Sequence, residues 1–287
     1  MPNEHAGPLL GERDGLRVID CKACGYAHLE TMPNADNLDR FYASSFWQVE
    51  KAGALERMEQ QREWWSAIYG DWLELIEKHT PNRTLIDVGA GYGHFMREAQ
   101  ARRWRAHGIE PSNEAVKYAP SDTFYGVWEN LNTWIRYACI SALWLVEHLP
   151  SPLDFLRWTH KRLAIGGVML SVAPNDFSPI QLRANREVEK PFWFIDKTHL
   201  NYFTPESFAN LLGRAGFRIV ERSTLHPVER LLLDGDDYTN NPALGAKLYH
   251  SVTQYDLEMT RPERMARYQD LARRGEGREL VIVGVRE

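Results

Sequence analysis

The 287-residue chain carries 34 Lys and Arg against 39 Asp and Glu, a net charge of −5 with a pI near 6.1. No basic block stands out, which argues against a DNA or RNA substrate, because phosphate binding needs a positive face. No apolar run reaches the ~18 residues of a membrane span, and Met1–His5 has neither the basic nor the apolar region of a signal peptide. A cytoplasmic protein is therefore expected, and three cysteines, too few for a disulfide framework, agree with a reducing compartment. At 44% hydrophobic and 25% charged, the composition suits one globular domain with additions or two modest ones.

In chain order, Leu16–Asp20 reads as a short strand leading into Cys21-Lys22-Ala23-Cys24-Gly25, which has the form of half a zinc knuckle. A structural zinc site needs four ligands, usually two such pairs. The third cysteine, Cys139, lies in an apolar stretch that reads as core strand, and neither His5 nor His28 stands at a persuasive spacing. Next, Asp39 to Trp47 is rich in aromatics. From Leu55 to Lys78 the pattern is helical, with Trp65, Ile68, Trp72, Leu75 and Ile76 at three- and four-residue steps, ending before Pro81. The stripe reads as packing.

The chain pivots on Thr84-Leu85-Ile86-Asp87-Val88-Gly89-Ala90-Gly91-Tyr92-Gly93-His94-Phe95. A buried strand at 84–88 runs into a glycine cluster, and a helix starts at His94. Such a turn lets backbone approach a ligand and points free helix N–H groups at it. A dinucleotide fingerprint wants G-x-G-x-x-G, but here the third glycine comes one residue early. The spacing favours S-adenosylmethionine (SAM) over NAD. A second strand at 105–110 ends in Glu110, placed to bind a ribose diol.

Strand and helix then alternate, the pattern of a parallel sheet covered on both faces. Ser112 caps a helix. Strands follow at Phe124–Val127 and Ala138–Leu145, then a helix from Leu153 to Leu163 ending at Gly166-Gly167, and a strand at Val168–Val172. Thr204 caps a helix with Pro205 at its first position. Strands at Phe217–Val220 and Glu279–Val285 close the series.

D-V-G-x-G-x-G followed by Gly108-Ile109-Glu110-Pro111-Ser112 resembles motifs I and II of the class I SAM-dependent methyltransferases. Leu145-Val146-Glu147-His148-Leu149-Pro150-Ser151-Pro152, the Gly166-Gly167 turn and His199-Leu200-Asn201-Tyr202-Phe203-Thr204-Pro205-Glu206-Ser207-Phe208 resemble the small-molecule and sugar methyltransferases within that class. The resemblance runs in order over roughly residues 83 to 225. It implies a Rossmann-like seven-stranded α/β sheet with helices on both faces, its last two strands antiparallel. Residues 227–277 then become an insertion, read as helical, with Leu231-Leu232-Leu233 and Tyr249 as packing points. The implied organisation is an N-terminal segment at 1–40, an aromatic lid and helical cap at 41–82, and a SAM-binding domain at 83–287.

The resemblance also implies roles. Asp87, the backbone from Gly89 through Ala90, Gly91 and Tyr92 to Gly93, and Leu145 meet the cofactor. Glu110 accepts the ribose hydroxyls, Pro111 and Ser112 border the adenine, and Glu129 or Asn130 meets its amino group. Tyr42 is expected at the cofactor and Trp47 at the acceptor; the plain alternative is that these aromatics dock their segment on the core. Glu147 and His148 are the expected acceptor-side catalytic pair, because histidine titrates near neutrality and a carboxylate can orient it; the alternative is that they fix the loop before Pro150. Asn175, Asp176, His199 and Tyr202 are expected to line the acceptor pocket. Relatives often carry a second cysteine pair near the N-terminus, where this chain has Asn3-Glu4-His5-Ala6-Gly7, so the knuckle reads as degenerate and zinc is not expected. Relatives also open the fourth strand with Asp, whereas this chain reads Arg136-Tyr137-Ala138-Cys139.

The chain lacks the [N/D/S]-P-P-aromatic motif of amino-directed DNA methyltransferases, and no cysteine follows a proline as cytosine C5 methylation requires. The expected activity is methyl transfer from SAM to a sugar or secondary-metabolite acceptor at O, N or C, in a biosynthetic setting. Partners are a small-molecule acceptor and at most a second copy of the chain, with no nucleic acid and no membrane. The competing readings are a SAM-fold binding or assembly module with little catalysis, and an NAD-dependent oxidoreductase.

Overall fold

The structure, a computed structural model, describes residues 5–44, 46–131, 134–188 and 192–287. It contains two sheets. The smaller one begins with β1 (Leu9–Arg13) and β2 (Leu16–Cys21), an antiparallel hairpin closed by Asp14-Gly15, both with positive φ (52° and 79°) as a two-residue hairpin turn requires. A second tight turn at Cys21–Gly25 returns the chain as β3 (Tyr26–Leu29).

Next come α1 (Ala35–Ser44), one π-helical turn at Phe46–Glu50, α2 (Ala54–Gln60) and α3 (Arg62–Glu77). The single helix expected over 55–78 is thus broken at Gln61, whose φ of −105° leaves the helical region. Ile68, Trp72, Leu75 and Ile76 are buried as the stripe implied, each apolar side chain contributing roughly 1.5–3 kcal/mol by leaving water.

The larger sheet is built from β4 (Thr84–Val88), β5 (Arg105–Glu110), β6 (Thr123–Tyr125), β7 (Tyr137–Leu143) and β8 (Leu163–Pro174). Between them run α4 (His94–Ala101), α5 (Asn113–Val116) and α6 (Pro152–Arg162). The fifth strand starts directly at Leu163 and passes through Gly166 (φ 75°), so the helix ends earlier and the strand is longer than expected. The third strand starts earlier than expected, at Thr123, and already ends at Tyr125, and the fourth stops at Leu143.

After α7 (Pro179–Ala184), the two-residue strand β9 (Asn201–Tyr202) leaves the domain to pair with β3. The chain then forms α8 (Pro205–Arg214), started by a Thr204/Ser207 capping box, and β10 (Phe217–Ser223). Helices α9 (Glu229–Leu233), α10 (Pro242–Glu258) and α11 (Arg261–Arg274) fill the insertion before β11 (Glu279–Arg286). The larger sheet has the order β10-β11-β8-β7-β4-β5-β6, parallel except for β11, which lies antiparallel between β10 and β8. This is the seven-stranded Rossmann-like sheet of a methyltransferase.

Buried polar bonds hold the insertion to α3. Arg264 grips Asp71 with two bonds of 2.7 and 2.8 Å, and Asp256 accepts from Trp64 Nε1 at 2.8 Å. Leu232 is buried beside Ala184 and Val188, while Tyr249 is partly buried against Trp64 and the main core. Among the described residues, no helix is long and apolar enough to cross a membrane.

Candidate active site

β4 has β5 on one side and β7 on the other, so the sheet order reverses there, and ligands bind at the carboxyl ends of strands at such a point. Two loops meet at this cleft, the glycine turn after β4 and the Leu145–His148 turn after β7.

On the first side, Gly89, Gly91 and Gly93 have φ of 74°, 54° and 76°, the left-handed region that favours glycine. The N–H groups of Gly89 and Ala90 both donate to Ile109 O, at 2.9 and 3.1 Å, which pins the turn to β5. Glu110 is buried at the end of β5; its Oε2 accepts from Gly91 N at 2.9 Å and its Oε1 from Ser112 N at 2.9 Å. Burial still outweighs these donors and raises its pKa. Asp87 lies below the turn, where burial pushes it up to about 7 although Ser141 Oγ donates to it at 2.6 Å. Leu145 covers Gly89, since a Cβ there would lie 3.3 Å from Leu145 Cδ1. Pro111 is half-buried beside Glu110, and Glu129 and Asn130 sit exposed on a short turn after β6.

Trp47 lies across this cradle. Its indole N–H donates to Glu110 Oε1 at 3.3 Å, and its ring stands 4.5 Å from that of Tyr92. A Cβ on Gly91 would come within 2.9 Å of the indole edge. Trp47 thus packs on the glycine turn and Glu110. Tyr42 lies by the other loop: its ring is 5.7 Å from His148, and its hydroxyl donates to Thr198 O at 3.2 Å. Tyr42 belongs to α1 and Trp47 to the π-helical turn, so their facing does not follow from sequence spacing.

On the second side, Glu147 is completely buried, and among the described residues neither carboxyl oxygen has a hydrogen-bond partner. His148 Nδ1 lies 2.6 Å from Thr198 O; a carbonyl only accepts, so Nδ1 carries the proton and Nε2 keeps its lone pair. That lone pair stands 3.9 Å from Glu147 Oε1. Burial pushes the Glu147 carboxyl well above its usual range, and burial, helped by His199, brings His148 down to about 3. The His199 ring is 5.0 Å from His148, and its buried Nδ1 is unpartnered. Tyr202 is buried with its ring 6.3 Å from His199. Phe46, not singled out in the sequence, stands 5.8 Å from His148.

The loop carrying this pair is held from behind. Asn201 Nδ2 donates to Leu149 O at 2.8 Å and to the Val146 and Glu147 carbonyls at 3.3 and 3.4 Å. Thr198 acts through its backbone, which no side-chain pattern could disclose. Asn175 Nδ2 donates to Gly275 O and Gly277 O at 3.1 and 2.8 Å, tying β8 to the segment before β11, while its buried Oδ1 has no partner among the described residues. Asp176 is half-committed, with Oδ1 accepting from Arg278 at 3.2 Å and Gln181 at 3.3 Å while the buried Oδ2 has no partner.

A Rossmann-like sheet with a glycine cradle and a buried acid at the second strand end defines a class I SAM-dependent methyltransferase. A family model described as a methyltransferase domain matches residues 58–222, more than half of the chain, and the chain belongs to that family. Its cofactor is SAM, which a glycine-rich cradle and a buried acid at the end of the second strand suit. No curated protein matches the sequence. Among solved structures, a SAM-dependent methyltransferase of Thermotoga maritima, described as a possible histamine N-methyltransferase, is 17% identical with a TM-score of 0.50, covering 84% of this chain and 98% of its own. A SAM-dependent methyltransferase of Archaeoglobus fulgidus is 15% identical with a TM-score of 0.49, covering 76% of this chain and 92% of its own. The first of these likenesses establishes the fold.

Proposed function

We propose that this methyltransferase acts on a small polar acceptor of sugar or secondary-metabolite type, with His148 as the base and Glu147 beside it. The observation that carries this reading is the buried, unpartnered Glu147 carboxyl next to a His148 whose tautomer is fixed. Buried polar atoms in folded proteins nearly always have partners, so a cluster of bare ones at the cleft marks a place for a polar ligand. The unpartnered His199 Nδ1 and Asp176 Oδ2 extend the same cluster.

Gly89 to Gly93 and Glu110 would hold the cofactor, which supplies an electrophilic methyl group. His148 Nε2 receives the acceptor's proton. A histidine lowered to about 3 is neutral at physiological pH but weakly basic, so it takes the proton late, as the acceptor oxygen or nitrogen becomes acidic during methylation. Glu147, whose carboxyl burial pushes toward the neutral form, stands beside the acceptor to orient it. Tyr42 and Phe46 wall the pocket and exclude water. Much of the rate gain comes from positioning, worth up to roughly 7–11 kcal/mol in ideal systems.

The test is transfer of isotopically labelled methyl from SAM to a panel of hydroxylated and amino small molecules, with wild type and His148→Ala. Transfer that falls ~100-fold or more in the variant, with SAM binding retained, supports the reading. A variant that turns over the same acceptor at the wild-type rate removes His148 from the chemistry.

A further inference from the structure

We propose that His5, Cys21, Cys24 and His28 form a tetrahedral zinc site that staples the N-terminal segment to the β2–β3 hairpin. One Cys pair alone is too few for zinc, and the spacing of His5 and His28 along the chain does not bring either to it. The fold does. His5 Nδ1 lies 3.7 Å from Cys21 Sγ, 3.4 Å from Cys24 Sγ and 3.2 Å from His28 Nε2, and all four ligand atoms lie within 4.8 Å of one another. Zinc bonds of about 2.3 Å to sulfur and 2.0–2.1 Å to nitrogen give a tetrahedron whose edges measure about 3.3–3.8 Å. The three distances from His5 match those edges.

Independent features prepare each ligand. Gly25, with φ of 75°, closes the turn by donating to Cys21 O at 2.8 Å, so both sulfurs reach the same side. His28 Nδ1 lies 2.7 Å from Leu29 O and so must donate there, which turns the Nε2 lone pair toward the sulfurs. His5 is delivered by a segment lying along β2, with Asp20 N bonded to Pro8 O at 2.9 Å. That approach requires glycine at position 7, where a Cβ would stand 1.8 Å from Asp20 O. Two thiolates and two neutral imidazoles balance a divalent cation, and this borderline-soft donor set selects zinc over magnesium or calcium.

Four protein ligands leave no open position, so the site is structural. Its reach extends to the cleft. β3 pairs with β9 through Ala27–Tyr202 and His28–Asn201, and Asn201 holds the carbonyls of the Glu147 loop. Zinc therefore stiffens the small sheet that backs the acceptor side.

The full chain, purified with any affinity tag removed, is assayed for bound metal by mass spectrometry. The metal-free protein is then titrated with Co²⁺ and followed by visible absorption. The proposal expects about one zinc per chain, and thiolate-to-cobalt charge-transfer bands with tetrahedral d–d bands on titration. Cys21→Ser/Cys24→Ser abolishes both, His5→Gln weakens Co²⁺ affinity at least tenfold, and a His79→Gln control keeps wild-type binding. A wild-type chain that gives no thiolate–cobalt bands overturns the site whatever the variants do. So does metal content that survives the double serine change.

Discussion

The indole of Trp47 donates to the same Glu110 oxygen that accepts from Ser112, at 3.3 Å, while its ring covers the Gly91 backbone. Glu110 is the acid positioned for a ribose diol, so the indole stands where a cofactor hydroxyl would donate. An indole bonded to that oxygen competes with any ribose hydroxyl for it. Trp47→Ala removes the competitor. Adenosine, which probes this half of the cradle alone, is expected to bind about threefold to tenfold more tightly, the equivalent of ~1 kcal/mol for one exchanged hydrogen bond. Calorimetric titration measures it, and weaker binding by the variant would show that Trp47 assists the ligand instead.

Activity should report the depressed basicity of His148. Its pKa is brought down to about 3 by burial, so it stays neutral throughout the physiological range. The kcat/KM profile is therefore expected to lack an acid limb near the ordinary histidine value of ~6.5. A limb near that value that disappears in His148→Ala would mean that the imidazole titrates normally in the free enzyme.

Asp87 makes a separate prediction about stability. Burial raises its folded pKa to about 7 from an unfolded value near ~3.9. Between those values the folded state holds a proton that the unfolded state has lost, so this group's contribution to stability falls as pH rises from ~4 to ~7. His148 acts in the opposite direction between about 3 and ~6.5, gaining stability as pH rises, so only a difference isolates Asp87. Asp87→Asn retains an acceptor for Ser141 and abolishes the titration. Urea unfolding across the window should show a slope against pH that is less negative, by up to ~1.4 kcal/mol per unit. An unchanged slope would place Asp87 at an ordinary carboxylate pKa.

The insertion is anchored by the buried pair of Arg264 and Asp71, bonded at two points. Arg264→Met leaves Asp71 with only Arg261, whose Nε is 3.3 Å away on a more exposed side chain. The expected loss is about 3 kcal/mol, because a buried charge loses its main partner. Denaturant unfolding checks this, and a loss below ~1 kcal/mol would show that the insertion is held mainly by apolar packing.

The cofactor side of the cleft was legible because each of its signals is local. Three glycines at alternate positions must take positive φ, and a strand ending in an acid places Glu110 one strand away. The Glu147-His148 pair could be read for the same reason, as the turn ending a buried strand. What escaped depends on distant contacts. β9 is only Asn201 and Tyr202, and it becomes a strand because β3 lies beside it. Without that pairing, neither the small sheet nor the convergence of His5 and His28 on the cysteines can be inferred. The β1–β2 hairpin is the exception, because Asp14-Gly15 is a local turn signal. Tyr42 packs by His148 and Trp47 by Glu110, a difference in facing that the irregular segment joining α1 to the π-helical turn hides from sequence spacing.

Calorimetric titration of wild type and Glu110→Gln with SAM and S-adenosylhomocysteine, with NAD as the control, decides whether Glu110 holds the cofactor. Glutamine preserves the shape of the side chain and removes the charge that accepts from the ribose. The account predicts that SAM and its product bind wild type, that NAD does not, and that the variant loses about 10- to 100-fold in affinity, as expected for a hydrogen bond to a charged group. Equal SAM affinity in the two proteins, or binding of NAD in place of SAM, would contradict it.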